Sequence, residues 1–209
     1  MYQKNIQKII DLFSDFPTIG QRTAARFVFY LIKLPQQEVD FLIDSIKKLK
    51  ETTRLCSFCF NPFENENEYK ICEICNNQTR DKKTICIVER EADLNSIETA
   101  KKYNGLYFIL GQASYLLKNS ESNTKIKELE ERIKNPKNFG VDSDIIEVII
   151  ATNFTYEGES AGLFIERKLK ALQLAHPLKI THLAKGLPSG AEIEYADQDT
   201  ISSAFEGRK

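Results

Sequence analysis

A chain of 209 residues, 42% hydrophobic and 28% charged, has room for one ordinary domain or several small ones and enough apolar material for a real core. The formal net charge of −1 announces no strongly basic nucleic-acid binder, and the longest unbroken apolar run, Phe27 to Ile32, is far too short to span a bilayer. Met1 to Ile10 lacks the apolar core of a secretion signal, so the expected location is cytoplasmic, away from membranes, where thiols stay reduced.

The first fifty residues read as helices. Ile6, Ile9, Ile10 and Phe13 recur at the spacing of one helical face, and Ser14 to Gly20 breaks that helix with Pro17 and Gly20. A second helix starts near Gln21, with Ala24, Ala25, Val28, Leu31 and Ile32 as its inner face, and Pro35 marks its end. A third carries Val39, Leu42, Ile43, Ile46 and Leu49. So small a unit buries little and is expected to lean on its neighbours. Charge is also uneven: residues 1–34 carry Lys4, Lys8, Arg22, Arg26 and Lys33 against Asp11 and Asp15, whereas Asp142 to Glu166 holds six acidic residues and no Lys or Arg.

Next come Cys56-Ser-Phe-Cys59 and, twelve residues later, Cys72-Glu-Ile-Cys75. Each Cys-x-x-Cys pair puts two thiolates on one side of a tight turn, and two such turns face to face complete the tetrahedron that Zn²⁺ requires, with Zn–S of about 2.3 Å. The competing readings are two disulfides, which need an exporting context, and four unrelated core thiols. Four protein ligands leave no position for water, which points to structural rather than catalytic zinc. Glu64, Glu66, Glu68 and Glu73 make the module a poor phosphate contact, so it is expected to act as a rigid joint between its neighbours. The fifth thiol, Cys86, sits in an apolar run and reads as a buried small hydrophobe.

Beyond the cysteines the pattern alternates. Strands are expected at Ile85–Glu89, Leu106–Leu110, Ile145–Ala151 and Leu178–Leu183. Helical faces lie at Leu94, Ile97 and Ala100, at Ile126, Leu129 and Ile133, and over Glu159 to Leu174. This predicts a mostly parallel sheet covered by helices, with strand order unreadable and polar loops over 111–124 and 134–144. Gly186 to Gly190 reads as a turn, followed by a short strand and a last helix capped by Asp199 or Thr200, with Ile201, Ala204 and Phe205 inward.

Three stretches bear on chemistry. Phe16-Pro-Thr-Ile-Gly-Gln-Arg22-Thr-Ala-Ala-Arg26 opens a helix whose first backbone N–H groups suit a phosphate, with two arginines at i and i+4 on one face. The pattern resembles a helix-hairpin-helix, with Thr18 where the first hairpin glycine is usual; the alternative is an ordinary packing unit with solvated arginines. Glu89 and Asp93 follow the first sheet strand, and Glu157 and Glu159 follow the third, a placement in which carboxylates can collect around Mg²⁺. It resembles the Toprim domain of topoisomerases, primases and some nucleases. The Asp-x-Asp of active members reads Asn153-Phe-Thr155 here, a poor Mg²⁺ site, which favours a structural or contact role for the four carboxylates. Other enzyme templates fail: no glycine leads into a Walker A loop, His176 and His182 have no visible nucleophile partner, and Ser160 only mimics the spacing of a nucleophile elbow.

Taken together, the basic hairpin, the cysteine quartet, the Toprim-like stretch with Ala151-Thr-Asn153…Glu157-Gly-Glu159, and the tail Gly186-Leu-Pro-Ser-Gly190…Glu194-Tyr-Ala-Asp197…Thr200…Gly207-Arg208 resemble the bacterial RecR family over essentially the whole chain. The expected fold is mixed α and β: a helix-hairpin-helix DNA-binding unit over 1–53, a four-cysteine zinc module over 54–78, a Toprim-like α/β domain with a mostly parallel sheet over 79–176, and a C-terminal strand-turn-helix segment over 177–209. The resemblance implies no established catalytic activity. It implies a DNA-binding mediator of recombination and repair that forms a ring, dimeric or tetrameric, and acts with RecO-like and RecF-like proteins to load RecA at gapped or damaged DNA. Carried over by position, Cys56, Cys59, Cys72 and Cys75 are the zinc ligands, Arg22 and Arg26 face DNA, and Glu89, Asp93, Glu157 and Glu159 touch a partner or a weakly held Mg²⁺. Departures are Thr18, the loop Gly111-Gln-Ala-Ser-Tyr115, His182 in place of an arginine, and Lys185 where histidine or arginine is commoner. The competing classes are a Toprim-type Mg²⁺-dependent nuclease or nucleotidyl transferase, and a zinc-ribbon scaffold that binds only protein.

Overall fold

The computed structural model describes residues 2–65, 69–111 and 124–208. The chain forms two compact units, Met1–Thr53 and Arg54–Lys209. Among the described residues, no helix is long and apolar enough to cross a membrane.

The first unit is helical, with α1 over Lys4–Ser14, α2 over Gln21–Lys33 and α3 over Gln36–Thr52. Ile10 of α1 is enclosed by Ala24 and Val28 of α2, with Ile6, Phe13, Ile19 and Ala25 around them. The turn between α1 and α2 passes through Thr18 at φ 66°, a left-handed conformation that a β-branched residue adopts at a cost. Leu34 is extended, as a residue before proline prefers, and Pro35 starts α3. The apolar face of α3 departs from expectation, since no residue on it is fully buried and Leu42, Ile43, Ile46 and Leu49 are exposed, as is Ile32 of α2. One packed helix pair encloses only the residues at its seam, and α3 has none of that seam.

The second unit opens with β1 (Thr53–Leu55) and β2 (Pro62–Glu64), a two-stranded ribbon carrying the first cysteine pair at its turn. The short helix α4, Glu73–Asn76, contains Cys75. There follow β3 (Thr84–Val88), α5 (Glu91–Ala100), β4 (Leu106–Ile109), α6 (Thr124–Lys134), a 3₁₀ turn at Pro136–Phe139, β5 (Glu147–Ala151), α7 (Tyr156–Lys170) and β6 (Lys179–His182). The sheet is all parallel in the order β4-β3-β5-β6, with Val88 opposite both Ile109 and Ala151. Its central strand β3 is covered on both faces, which explains the unbroken apolar run Ile85 to Val88. The chain leaves β3 toward β4 on one side and returns to β5 on the other, so the ends of β3 and β5 form the topological switch point.

Two details at the C-terminus correct the expectation. The segment's strand is β6, ahead of the turn; after Gly190 the chain forms a 3₁₀ turn at Ile193–Tyr195 instead of a short strand. The last helix, α8 (Gln198–Glu206), is capped earlier than expected. Asp197 accepts the Thr200 N–H at 2.8 Å and the Thr200 hydroxyl at 2.7 Å, a reach that Asp199, already inside the helix, lacks. Ile201 and Ala204 are half-buried, but Phe205 points to solvent, 65% exposed. Glu66, Glu68 and most of the loop at 111–124, including Gln112 to Tyr115, lie outside the described residues.

Candidate functional site

The second unit is built around the cysteine quartet as much as around the sheet. Cys56, Cys59, Cys72 and Cys75 are all buried and free of disulfides, and their sulfurs lie within 4.8 Å of one another. Cys59 Sγ and Cys72 Sγ are 3.6 Å apart, close to the roughly 3.8 Å edge of a tetrahedron with metal–sulfur bonds of about 2.3 Å. Backbone N–H groups support the sulfurs: Cys72 donates to Cys56 Sγ at 3.3 Å and Asn61 to Cys59 Sγ at 3.4 Å. Crowding sets the thiols against one another. Hydrogen bonds with Cys56, Cys59 and Cys72, then burial, push the Cys75 thiol far above its ordinary pKa, while hydrogen bonds from Cys59, Cys72 and Cys75 pull Cys56 far below. A donor set of four convergent soft sulfurs fits a tetrahedral thiophilic dication, whose binding relieves this competition for protons.

The quartet is tied to the sheet. The N–H of Ile109, on the edge strand β4, donates to the Cys59 carbonyl at 2.9 Å, so the first cysteine turn covers part of that edge. Phe60 follows Cys59 at φ 66° and sets its ring edge-on to Phe108 of β4, with centroids 5.4 Å apart. The buried Arg132 of α6 donates from Nε and Nη2 to the Ser57 carbonyl, from Nε to the Phe58 carbonyl and from Nη1 to Glu128 O. Lys82 Nζ donates to the Cys75 carbonyl on the other turn. Sequence reasoning missed both cations. Arg132 sits on a helix otherwise rich in solvated charge, and the only signal was its place one residue before Ile133 on the inward face.

The four carboxylates do not assemble into an oxygen site. Among the described residues, the cysteines are the one group of three or more metal-capable side chains with ligand atoms this close together. Glu89, 7% exposed, turns inward and accepts the Asn153 N–H at 2.7 Å, clipping the end of β3 to the turn after β5. Asp93 accepts the Arg90 N–H at 2.9 Å as half of the capping box of α5. Glu159 pairs with Lys185. Glu157 is exposed in the first turn of α7, beside Gly158, whose Cβ, if present, would stand 2.1 Å from Asn153 O and 2.9 Å from the Glu89 carboxylate. The start of α7 is therefore pressed directly onto the Glu89 clip, which only glycine permits. Asn153 and Thr155 occupy this same turn, where Thr155 Oγ1 caps α7 through the Gly158 N–H.

Ser160 lies inside α7 and not on a strand-to-helix elbow. His182 Nε2 lies 3.1 Å from Glu166 Oε2, with Lys170 on the same carboxylate; Lys170 first, then His182, holds Glu166 below the usual carboxylate range. His176 is exposed.

In the first unit, Arg22 and Arg26 are exposed on α2, and no ion pair with a described residue engages either. Gly20 caps α2 without a side-chain hydrogen bond, and a Cβ there would meet nothing within 4 Å, so the first turn of the helix is open to approach.

A family model for the Toprim domain matches residues 83–184, and one for RecR, C-terminal, matches residues 186–209. The chain is 39% identical to recombination protein RecR of Bifidobacterium animalis subsp. lactis, an alignment covering 100% of this chain and 97% of the relative. It is 38% identical to that of Bifidobacterium adolescentis, with the same coverage, and 36% identical to that of Clostridium perfringens over 99% of this chain and 97% of the relative.

Proposed function

The chain belongs to the RecR family, and from that membership we propose that it is a DNA-binding mediator of recombination and repair in which Cys56, Cys59, Cys72 and Cys75 hold a structural zinc ion. When bound, zinc supplies a cross-link between two turns, leaving no open position for chemistry. DNA is held through its backbone by the first unit. The observation that carries this reading is the start of α2, where no side chain occupies the first backbone N–H groups, beside two solvent-facing arginines one helical turn apart. One such pair binds weakly; a ring of copies, dimeric or tetrameric, presents several pairs to one DNA and gains avidity without new contacts. Acting with RecO-like and RecF-like proteins in the cytoplasm, such a clamp promotes RecA loading at gapped or damaged DNA.

In this reading Glu89 and Asp93 serve the fold, and the exposed Glu157 and Glu159 at the start of α7 face a partner protein. The protein needs no Mg²⁺ and acts without catalysis: the one buried carboxylate at the switch point already accepts a backbone hydrogen bond, and its neighbour Asn153 is neutral. The joint replacement Arg22→Ala and Arg26→Ala tests the DNA contact. The slope of log K against log salt should flatten by about two for each protomer engaged, because two fewer counterions are released. An unchanged slope would remove the hairpin assignment. Mg²⁺-dependent cleavage of DNA, abolished by Glu89→Gln, would instead restore the nuclease reading.

A further inference from the structure

We propose that Arg132 makes metal occupancy of the cysteine site and the seating of α6 a single event. The inference rests on the zinc reading above. Arg132 is 5% exposed and forms no ion pair with a described carboxylate; its fork is spent on neutral carbonyls. The Glu128 carboxylate, one helical turn back and beyond ion-pair distance, offsets only part of the cost, since burial still outweighs it, so the guanidinium calls for further negative charge. The compensation is at hand. Ser57 and Phe58, whose carbonyls accept at 2.7 Å from Nη2 and Nε respectively, are the two residues between Cys56 and Cys59. A dication held by four thiolates leaves that turn with a net charge of about −2, and Arg132 reaches the turn through its backbone. The contact also fixes direction: Arg132 Cζ lies 4.3 Å from the Phe60 ring centroid and 4.2 Å from that of Phe139, so the cation packs over both rings. Ser57 Oγ reaches Phe139 O at 3.3 Å, closing the loop from the first cysteine turn to the 3₁₀ turn after α6.

The dependence runs both ways, as linkage requires. The metal orders the turn whose carbonyls hold Arg132, and Arg132 stabilises the negative turn that holds the metal. Ile126, Leu129 and Ile133 also bury α6, so losing the metal loosens this helix without dissolving the sheet.

The test uses the full chain, loaded with zinc. Arg132→Met and Arg132→Lys are compared with Lys134→Met, which removes an exposed cation from the same helix. Chelator-driven zinc release should quicken roughly tenfold or more in Arg132→Met, the scale of lost support around metal ligands. Release should be intermediate in Arg132→Lys, which keeps the charge but not the fork, and unchanged in Lys134→Met. Release from a folded Arg132→Met within twofold of the parent, or equal acceleration by Lys134→Met, overturns the proposal. Should Arg132→Met fail to fold, hydrogen exchange on the parent protein decides. Stripping zinc should speed exchange across 124–134 at least tenfold while leaving 147–151 unchanged, and an unaltered α6 overturns the coupling. A parent chain that takes up no zinc at all would sink the metal reading itself, a separate result from normal zinc uptake with no Arg132 effect.

Discussion

The two units solve the problem of a small core differently. Met1–Thr53 encloses three residues, Ile10, Ala24 and Val28, and leaves Leu42, Ile43, Ile46 and Leu49 of α3 exposed. Arg54–Lys209 joins its sheet, its helices and the four cysteines into one continuous core, in which Phe58 and the four sulfur-bearing residues are as buried as the central strands. The first unit is thus an open device with apolar and cationic surface on offer. The second is closed, and its closure is chemical as well as hydrophobic, since the cysteine turn covers an edge strand that would otherwise be a template for aggregation.

The largest effect that separates the two should come from metal removal. Cys75→Ser, or a strong chelator, should unfold residues 54–65 and 69–76 and loosen α6, because the binding free energy of such a site, about 10 kcal/mol or more in isolated modules, is folding free energy. Exchange in α1 and α2 should not change. Hydrogen exchange read by mass spectrometry checks both halves, and an intact cysteine turn after complete metal loss would erase the contrast.

Gly158→Ala should come next. Its methyl group has no space against Asn153 O and the Glu89 carboxylate, so the start of α7 must move, at a cost of about 3 kcal/mol. For a chain of this size that lowers the melting temperature by roughly 6–12 °C. Calorimetry should assign the loss to the second unit. Glu89→Gln, which retains an acceptor for the Asn153 N–H, should stay within about 1 kcal/mol of the parent.

Thr18→Gly should act in the opposite direction and on the first unit alone. Relief of a left-handed threonine is worth about 1 kcal/mol, partly offset by the greater freedom of glycine in the unfolded chain. Chemical denaturation followed at α1 and α2 should shift to higher denaturant, and a shift to lower denaturant would mean that Thr18 holds the turn by a contact of its own.

The smallest effect concerns Cys86. Burial pushes its thiol up to about 12, so at pH 8 it remains protonated and enclosed. If the quartet holds zinc as proposed, alkylation after treatment with a strong chelator should therefore modify Cys56, Cys59, Cys72 and Cys75 and spare Cys86. Labelling of Cys86 at a similar rate would show that the sheet, too, depends on the metal.

Much of this arrangement was legible beforehand. The spacing of Ile6, Ile10 and Phe13, the breaks at Pro17 and Pro35, and the alternation after Thr84 locate elements because helix and strand periods are local properties. The cysteine quartet was legible for the same reason: the distances that bring its sulfurs together are set mostly within two short turns. What stayed hidden depended on neighbours remote in the chain. Glu89 could be read along the chain only as one of four carboxylates with a structural, contact or metal role; that it clips two turns together is decided by Asn153, across the switch point. Arg132 drew no reading at all, because the carbonyls that claim it belong to residues 57 and 58, far off along the chain.

The sequence by itself determined the main helices, the strands of the sheet, the cysteine site and the family, since each rests on short-range spacing or on likeness along the whole chain. Tertiary structure alone decided which charges are working parts of the fold. A carboxylate or a guanidinium carries no mark of its burial, and its role is set by the hydrogen-bond partners that folding brings within about 3 Å of it.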